Sequence, residues 1–287
     1  MNKIEVKGVT KVYNKKTKAL DNISITIEPN KIYGLLGRNG AGKTTLLNIL
    51  TTKIFPTSGE ITIGGEEVFE NDKVLGKIFY IMVDSAMPWA FHRVFKRMKD
   101  FYPDFDIEYA KELADRFDID VSKKSKVLST GEFSLFKAIL ALASNAEILL
   151  LDEPVLGVDP NHREMLYKEM IKNYSEKPKT IIVSTHLIKE VASIVEEVII
   201  IKEGRIIENN SVDSLLSEVY TITGRADNVD EYLRNREHAA VDGIGERKTA
   251  IILENKQNKD ISLANKLELE FGNVELQELC MALTEDG

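Results

Sequence analysis

GRNGAGKTT, residues Gly37 to Thr45, follows the apolar run KIYGLL (Lys31–Leu36) and precedes the apolar stretch LLNIL (Leu46–Leu50). Gly37, Gly42, Lys43 and Thr44 fit the pattern G-x-x-x-x-G-K-[ST] between a strand and a helix. The glycines let successive backbone N–H groups turn inward onto phosphate oxygens, and the helix that starts behind them adds its positive end. Lys43 is placed to reach the β- and γ-phosphates and Thr44 to offer its hydroxyl to Mg²⁺, with Asn39, Gly40 and Thr45 completing the cradle. The stretch predicts an α/β nucleotide-binding fold, and by itself leaves open which of many phosphate-handling machines it serves.

A phosphate cradle needs a second, acidic site to hold the metal and direct the attacking water. ILLLDEP (Ile148–Pro154) supplies it: an apolar strand ends in Asp152, positioned for Mg²⁺ or its bound water, and Glu153, positioned as general base. Acidic pairs at strand ends are common on solvated surfaces; behind a phosphate cradle the pair reads as metal and water chemistry.

Outward from these two sites, IEVKGV, ISITI, KIYGLLG and EITIGG read as strands near the start of the chain. From about Asn71 to Ala143 the pattern is largely helical, and EILLLDE, KTIIVSTH and EEVIIIKEG then return as strands separated by helical segments. Continuous apolar strands suit a parallel sheet covered on both faces. After about Glu218 the character changes: VYTITG, a short helical piece around Val229–Arg234, HAAVDG, KTAIILEN and a helix near Val274–Leu283 describe a small α+β appendage.

The 287 residues, 43% hydrophobic and 29% charged, have the balance of a water-soluble protein with a sizeable core. A formal net charge of -8 argues against a dedicated nucleic-acid binder, so no nucleic-acid partner is expected. The single cysteine, Cys280, has no internal disulfide partner, which fits a reducing compartment. No apolar run has the length of a signal peptide or of a membrane span, so the expected location is cytoplasmic.

Two further stretches narrow the family. LSTGE (Leu128–Glu132) opens a helical run shortly before the acidic strand, and STH (Ser184–His186) ends the strand after it. With GVDP (Gly157–Pro160), the ordered set resembles the ATP-binding subunit of an ABC transporter over approximately residues 3 to 215. The resemblance implies a P-loop ABC ATPase core at 1–217 with a helical subdomain at about 84–145, followed by the accessory α+β domain at 218–287. It implies ATP and Mg²⁺ as cofactors, a second ABC ATPase subunit, identical or different, and a separate transmembrane permease that holds the protein at the inner face of the membrane.

In that family two subunits sandwich two ATP molecules head to tail, which gives Ser129 and Gly131 a role across the subunit interface. Ser129 is also an N-cap candidate, and Ser129 with Glu132 fits an S-x-x-E capping box; both readings can hold. His186 matches the switch histidine that contacts the γ-phosphate, Asp159 the D-loop aspartate that communicates between sites, and Tyr13 the aromatic that stacks on adenine. On this reading Glu153, His186 and Lys43 carry the catalysis.

The chain departs from the family after KIFYI, where a glutamine usually senses Mg²⁺. Here the stretch reads MVDSAMPW, with Val83 or Asp84 at that point, and of the two only Asp84 can ligate metal. The neighbouring Met87, Trp89, Phe91 and Phe95 read equally as helical-subdomain core or as a surface facing the permease, with Trp89 as the preferred anchor. FYPDFD (Phe101–Asp106) resembles the YtrB-like branch, whose members are ATPase subunits of bacterial exporters. The competing readings are a soluble ABC ATPase acting on ribosomes or DNA, and a weakly hydrolysing regulatory module; the single cassette and acidic charge favour the transporter over the first.

Overall fold

The computed structural model describes residues 2–14, 16–82, 91–123 and 128–285. The expectations placed on Val83, Asp84, Met87 and Trp89 lie outside the described residues.

Alternating apolar residues make the first hairpin. β1 (Ile4–Tyr13) pairs antiparallel with β2 (Thr17–Ile27), with Ile4 opposite Ile27 and Val6 opposite Ile25. β3 (Ile32–Leu36) is buried at every position and leads through the Gly37–Gly42 loop into α1 (Lys43–Leu50). β4 (Ser58–Ile63) and β5 (Glu66–Glu67) complete a four-stranded antiparallel sheet in the order β2-β1-β4-β5.

The chain then runs through α2 (Asp72–Leu75), β6 (Ile78–Ile81), α3 (Phe91–Phe101), α4 (Ile107–Arg116) and α5 (Thr130–Ala143). It continues through β7 (Ile148–Asp152), α6 (Pro160–Glu176), β8 (Thr180–Ser184), α7 (Ile188–Val191), β9 (Glu197–Lys202), β10 (Arg205–Ser211) and α8 (Val212–Ser217). Six of these strands form one sheet in the order β10-β9-β3-β8-β7-β6, parallel except for the antiparallel edge strand β10. The stretch Asn71–Ala143 is therefore not helical throughout: β6 enters the parallel sheet beside β7.

Period-two alternation sends the strands' side chains into two cores. Leu35, Leu150, Ile182 and Ile199 face α1 and the antiparallel sheet, whereas Leu36, Leu149, Ile181 and Ile200 face the helices. Phe91 and Phe95 belong to the second core and stack on Phe136 of α5, so of the two readings left open for them the structure shows core.

Beyond α8 come β11 (Tyr220–Arg225), α9 (Ala226–Leu233), β12 (His238–Ile244), β13 (Arg247–Ile252), α10 (Ile261–Lys266), β14 (Glu270–Gly272) and α11 (Leu276–Thr284). The first six make a β-α-β-β-α-β unit whose antiparallel sheet runs β12-β13-β11-β14, the ferredoxin-like order. Its own core is built from Tyr220, Ile222, Tyr232, Ile252 and Leu267. α11 does not join that core; Leu276, Leu279 and Cys280 pack with Ile188, Val191 and Ile200 of the body built on the six-stranded sheet and with Ile251 of β13.

Candidate active site

Parallel strands that share a direction end on one edge, and the crevice outside their carboxyl ends is where an open α/β sheet places a ligand. The ends of β3, β7 and β8 bring the Gly37–Thr45 loop, Asp152–Glu153 and Ser184–His186 to that edge.

The loop fits its position closely. Gly37 has φ 146°, and a Cβ there would stand 2.3 Å from the Ile201 carbonyl oxygen of β9. Gly42 has φ 114°, and a Cβ there would stand 2.6 Å from the Ala19 carbonyl oxygen of β2. Any other residue at either position would push the loop off the strands behind it. Lys43 folds back over the loop, its Nζ donating to the carbonyls of Gly37 (2.6 Å) and Arg38 (3.2 Å). Burial pulls the ammonium pKa down, and the charges of Glu153 and Asp152 oppose that pull. Lys43, Thr44 and Thr45 form the first turn of α1, where backbone N–H groups lack intrahelical acceptors. A cavity of about 210 Å³ opens there, lined by Asn39, Gly40, Gly42, Lys43, Thr44, Thr45, Asp152 and Glu153 together with Ala19.

The Asp152 carboxylate accepts hydrogen bonds from Thr44 Oγ1 (2.7 Å) and Ser184 Oγ (2.8 Å). Burial pushes its pKa up, against the pull of those two hydroxyls. Thr44 and Asp152 thus present adjacent hard oxygens, the donor set that suits Mg²⁺. Among the described residues no group of three or more His, Cys, Asp or Glu could hold a metal, so an ion here would complete its shell with phosphate and water oxygens.

Glu153 turns away from the strand with φ 46°, a left-handed conformation that a non-glycine residue holds only where its surroundings fix it. Its N–H donates to the Ser184 carbonyl (2.8 Å), and its carboxylate accepts from Thr185 Oγ1 (3.0 Å) and the His186 N–H (3.1 Å). The His186 ring Nδ1 lies 2.9 Å from the same carboxylate. The structural parts played by Ser184 and Thr185 are absent from the sequence reading; the signal available was their place at the end of the strand next to the acidic pair.

The remaining candidates do not line this cavity. Ser129 caps α5 in a full capping box: its Oγ accepts from the Glu132 N–H (3.1 Å) while Glu132 Oε2 accepts from the Ser129 N–H (2.8 Å). Gly131 lies against the Gly157 carbonyl, where a Cβ would stand 2.3 Å away. Asp159 caps α6 by accepting from the N–H groups of Asn161 (3.1 Å) and His162 (3.2 Å). Tyr13, 37% exposed, ends β1 with the Lys11 ammonium 5.2 Å from its ring centre.

Comparison with known proteins places this geometry. The ABC transporter family profile matches residues 20–156. The chain is 29% identical over 285 residues to the ABC transporter ATP-binding protein YtrB of Bacillus subtilis, spanning 97% of each chain. It is 32% identical over 217 residues to the bacitracin transport ATP-binding protein BcrA of Bacillus licheniformis, spanning 74% of this chain and 71% of that one. In fold it is similar to the ATP-binding cassette MJ0796, solved as a dimer in a post-hydrolysis state with ADP and Pi. That likeness has a TM-score of 0.65 at 24% identity and covers 73% of this chain and 98% of that one.

Proposed function

The chain belongs to the ATP-binding proteins of ABC transporters and is an ATPase, and from that premise we propose that it is the engine of an exporter, working in pairs on a separate membrane permease. The observation that carries the reading is Glu153, held by Thr185 and by two nitrogens of His186 at the mouth of the phosphate cradle. A carboxylate fixed there is placed to take a proton from the water that attacks the γ-phosphate.

Each residue then has a task. Asn39, Gly40, Gly42 and Thr45 hold phosphate oxygens with backbone N–H groups, and Lys43 neutralises the β- and γ-phosphates. Thr44 and Asp152 would hold Mg²⁺, which when bound would offset phosphate charge. His186, fixed through Nδ1, presents its other ring nitrogen toward the γ-phosphate. Tyr13 stacks on the adenine. Gly37 keeps the loop against β9.

Pairing is supported by where the residues of the α5 N-terminus lie. Ser129 and Gly131 open a 14-residue helix whose N-terminus is suited to an anion. They lie outside the cavity lined by Lys43, Thr44 and Asp152, and on this reading they, with Asp159, serve the γ-phosphate held by a second subunit. Closure on two ATP molecules and reopening after hydrolysis move the permease. On this reading the transport path belongs to the permease; no described helix is long and apolar enough to cross a membrane. The export direction rests on the resemblance of the FYPDFD segment to the exporter branch.

The test is to tag a Glu153→Gln variant, extract it gently from its native cells in detergent and identify what co-purifies. A multi-spanning membrane protein in stoichiometric amount supports the reading and names the permease. Ribosomes, DNA, or no membrane protein at all would move the assignment to a soluble ATPase.

A further inference from the structure

α11 buries Leu276, Leu279, Cys280 and Thr284, one stripe at helical spacing, although it follows a domain with a core of its own. Its last turn meets Lys202. The Lys202 ammonium donates to the carbonyl oxygens of Glu285 (2.6 Å) and Leu283 (3.5 Å). Carbonyls at a helix C-terminus have no intrahelical donor, and a cation there satisfies them and complements the helix dipole.

Lys202 is also the last residue of β9, the strand behind the phosphate loop. The carbonyl of its neighbour Ile201 is the group that Gly37 abuts. Two residues further on, the Gly204 N–H donates to the Ala41 carbonyl at 2.9 Å. The segment 201–204 is thus gripped by α11 on one side and by the phosphate loop on the other. A cleft of about 360 Å³ lies between the loop residues Arg38–Ala41, Lys202 and Thr284, which leaves β9 as the path of support.

We infer that Lys202 is a positioning residue of the nucleotide site, through which the C-terminal helix holds the phosphate loop in its ATP-binding geometry. The appendage that ends in α11 thereby sets nucleotide affinity without touching nucleotide. The inference rests on the loop being the phosphate cradle, where small displacements of N–H donors are costly.

The experiment measures ATP affinity by calorimetry, and KM and kcat for hydrolysis, in the full chain and in Lys202→Met, Ala282→Pro and the double variant. Proline at 282 breaks the last turn of α11 while leaving the Lys202 charge in place. Each single change should weaken ATP binding and raise KM by about two- to thirtyfold, with kcat at saturating ATP within about twofold. The double variant should be no worse than the weaker single one, because both act through one contact. Lys202→Arg should retain affinity, and Cys280 should stay unreactive to thiol reagents, showing α11 still docked.

Wild-type affinity in Ala282→Pro would mean that Lys202 acts only by charge, and the inference would fall; so would a double variant whose loss is the product of the single losses. An unsubstituted chain that binds no ATP would overturn the cradle reading and this inference with it.

Discussion

One residue holds the Glu153 carboxylate from two directions: Oε1 lies 3.1 Å from the His186 backbone nitrogen and 2.9 Å from its ring Nδ1. With Nδ1–H as the donor, Nε2 is left as the ring's outward nitrogen, on a side chain 48% exposed. The carboxylate and the ring therefore act as a unit. Glu153→Gln should lower phosphate release by about 10²–10⁴-fold while ATP affinity stays within about threefold. Equal rates in the two proteins would remove Glu153 as the base and favour the weakly hydrolysing module. His186→Ala should lower kcat by at least about tenfold and leave the dissociation constant for ATP nearly unchanged.

Thr44 and Asp152 are joined by a 2.7 Å hydrogen bond, and Asp152 is 1% exposed. If both hold Mg²⁺, the hydroxyl matters mainly when the metal is present. Thr44→Val should weaken ATP binding by about tenfold or more in Mg²⁺ and by much less in EDTA, because the oxygen it removes would be a ligand only when the metal is bound. Calorimetric titration under the two conditions decides it. The same loss in both would place Thr44 on phosphate alone.

Local chemistry was legible in the sequence and cross-strand chemistry was not. The tight Gly37–Thr45 turn from β3 into α1 could be read because its glycines, lysine and threonine all lie within nine consecutive residues. The strand β7 could be read because its apolar run ends in two carboxylates. By contrast, Ser184 reaches Asp152 only because β7 and β8 pair in parallel with those two residues as register partners. No local pattern encodes that register. β6 was hidden because IFYI, four residues long, carries no alternation and sits among helical segments. β10 was hidden because RIIENNS is a mostly polar strand at the edge of its sheet among the described residues. The sequence predicts a helix near Val274–Leu283, but the surface it covers is set by contacts made some eighty residues apart, such as Lys202 with Leu283.

Gly131 tests the packing between the α5 N-terminus and the loop after β7. A Cβ at 131 would stand 2.3 Å from the Gly157 carbonyl oxygen and 3.2 Å from Val158 Cα, both backbone atoms with little room to retreat. Ser134 Oγ donates to the Leu156 carbonyl at 2.8 Å and ties the same two segments together. Gly131→Ala should therefore destabilise by about 1–3 kcal/mol, as overpacking does. Since about 2–4 °C of melting temperature accompanies each kcal/mol in a domain of roughly this size, scanning calorimetry should resolve the shift. An unchanged melting temperature would mean that the Gly157 loop yields freely.

Lys179 should give the fold a dependence on pH away from the candidate active site. It is 2% exposed, its Nζ donates to Asn173 Oδ1 at 2.7 Å, and burial pulls its pKa from 10.5 down to about 8. Below pH 8 both the folded and the unfolded chain carry this proton, and the folded state bears the full cost of the buried charge. Between pH 8 and 10.5 the unfolded chain binds more protons at this site, so stability rises with pH; above 10.5 the cost is gone. The shift corresponds to a gain on the order of 3 kcal/mol across that window. Other groups titrate there too, so the quantity to measure is the difference from Lys179→Met, which has no proton to lose. Urea unfolding of the two proteins at pH 7.5, 9 and 10.5, as experimental settings of about those values, should show the unsubstituted chain gaining on the variant with each step. A difference independent of pH would mean that Lys179 keeps its ordinary pKa and that its ammonium reaches water.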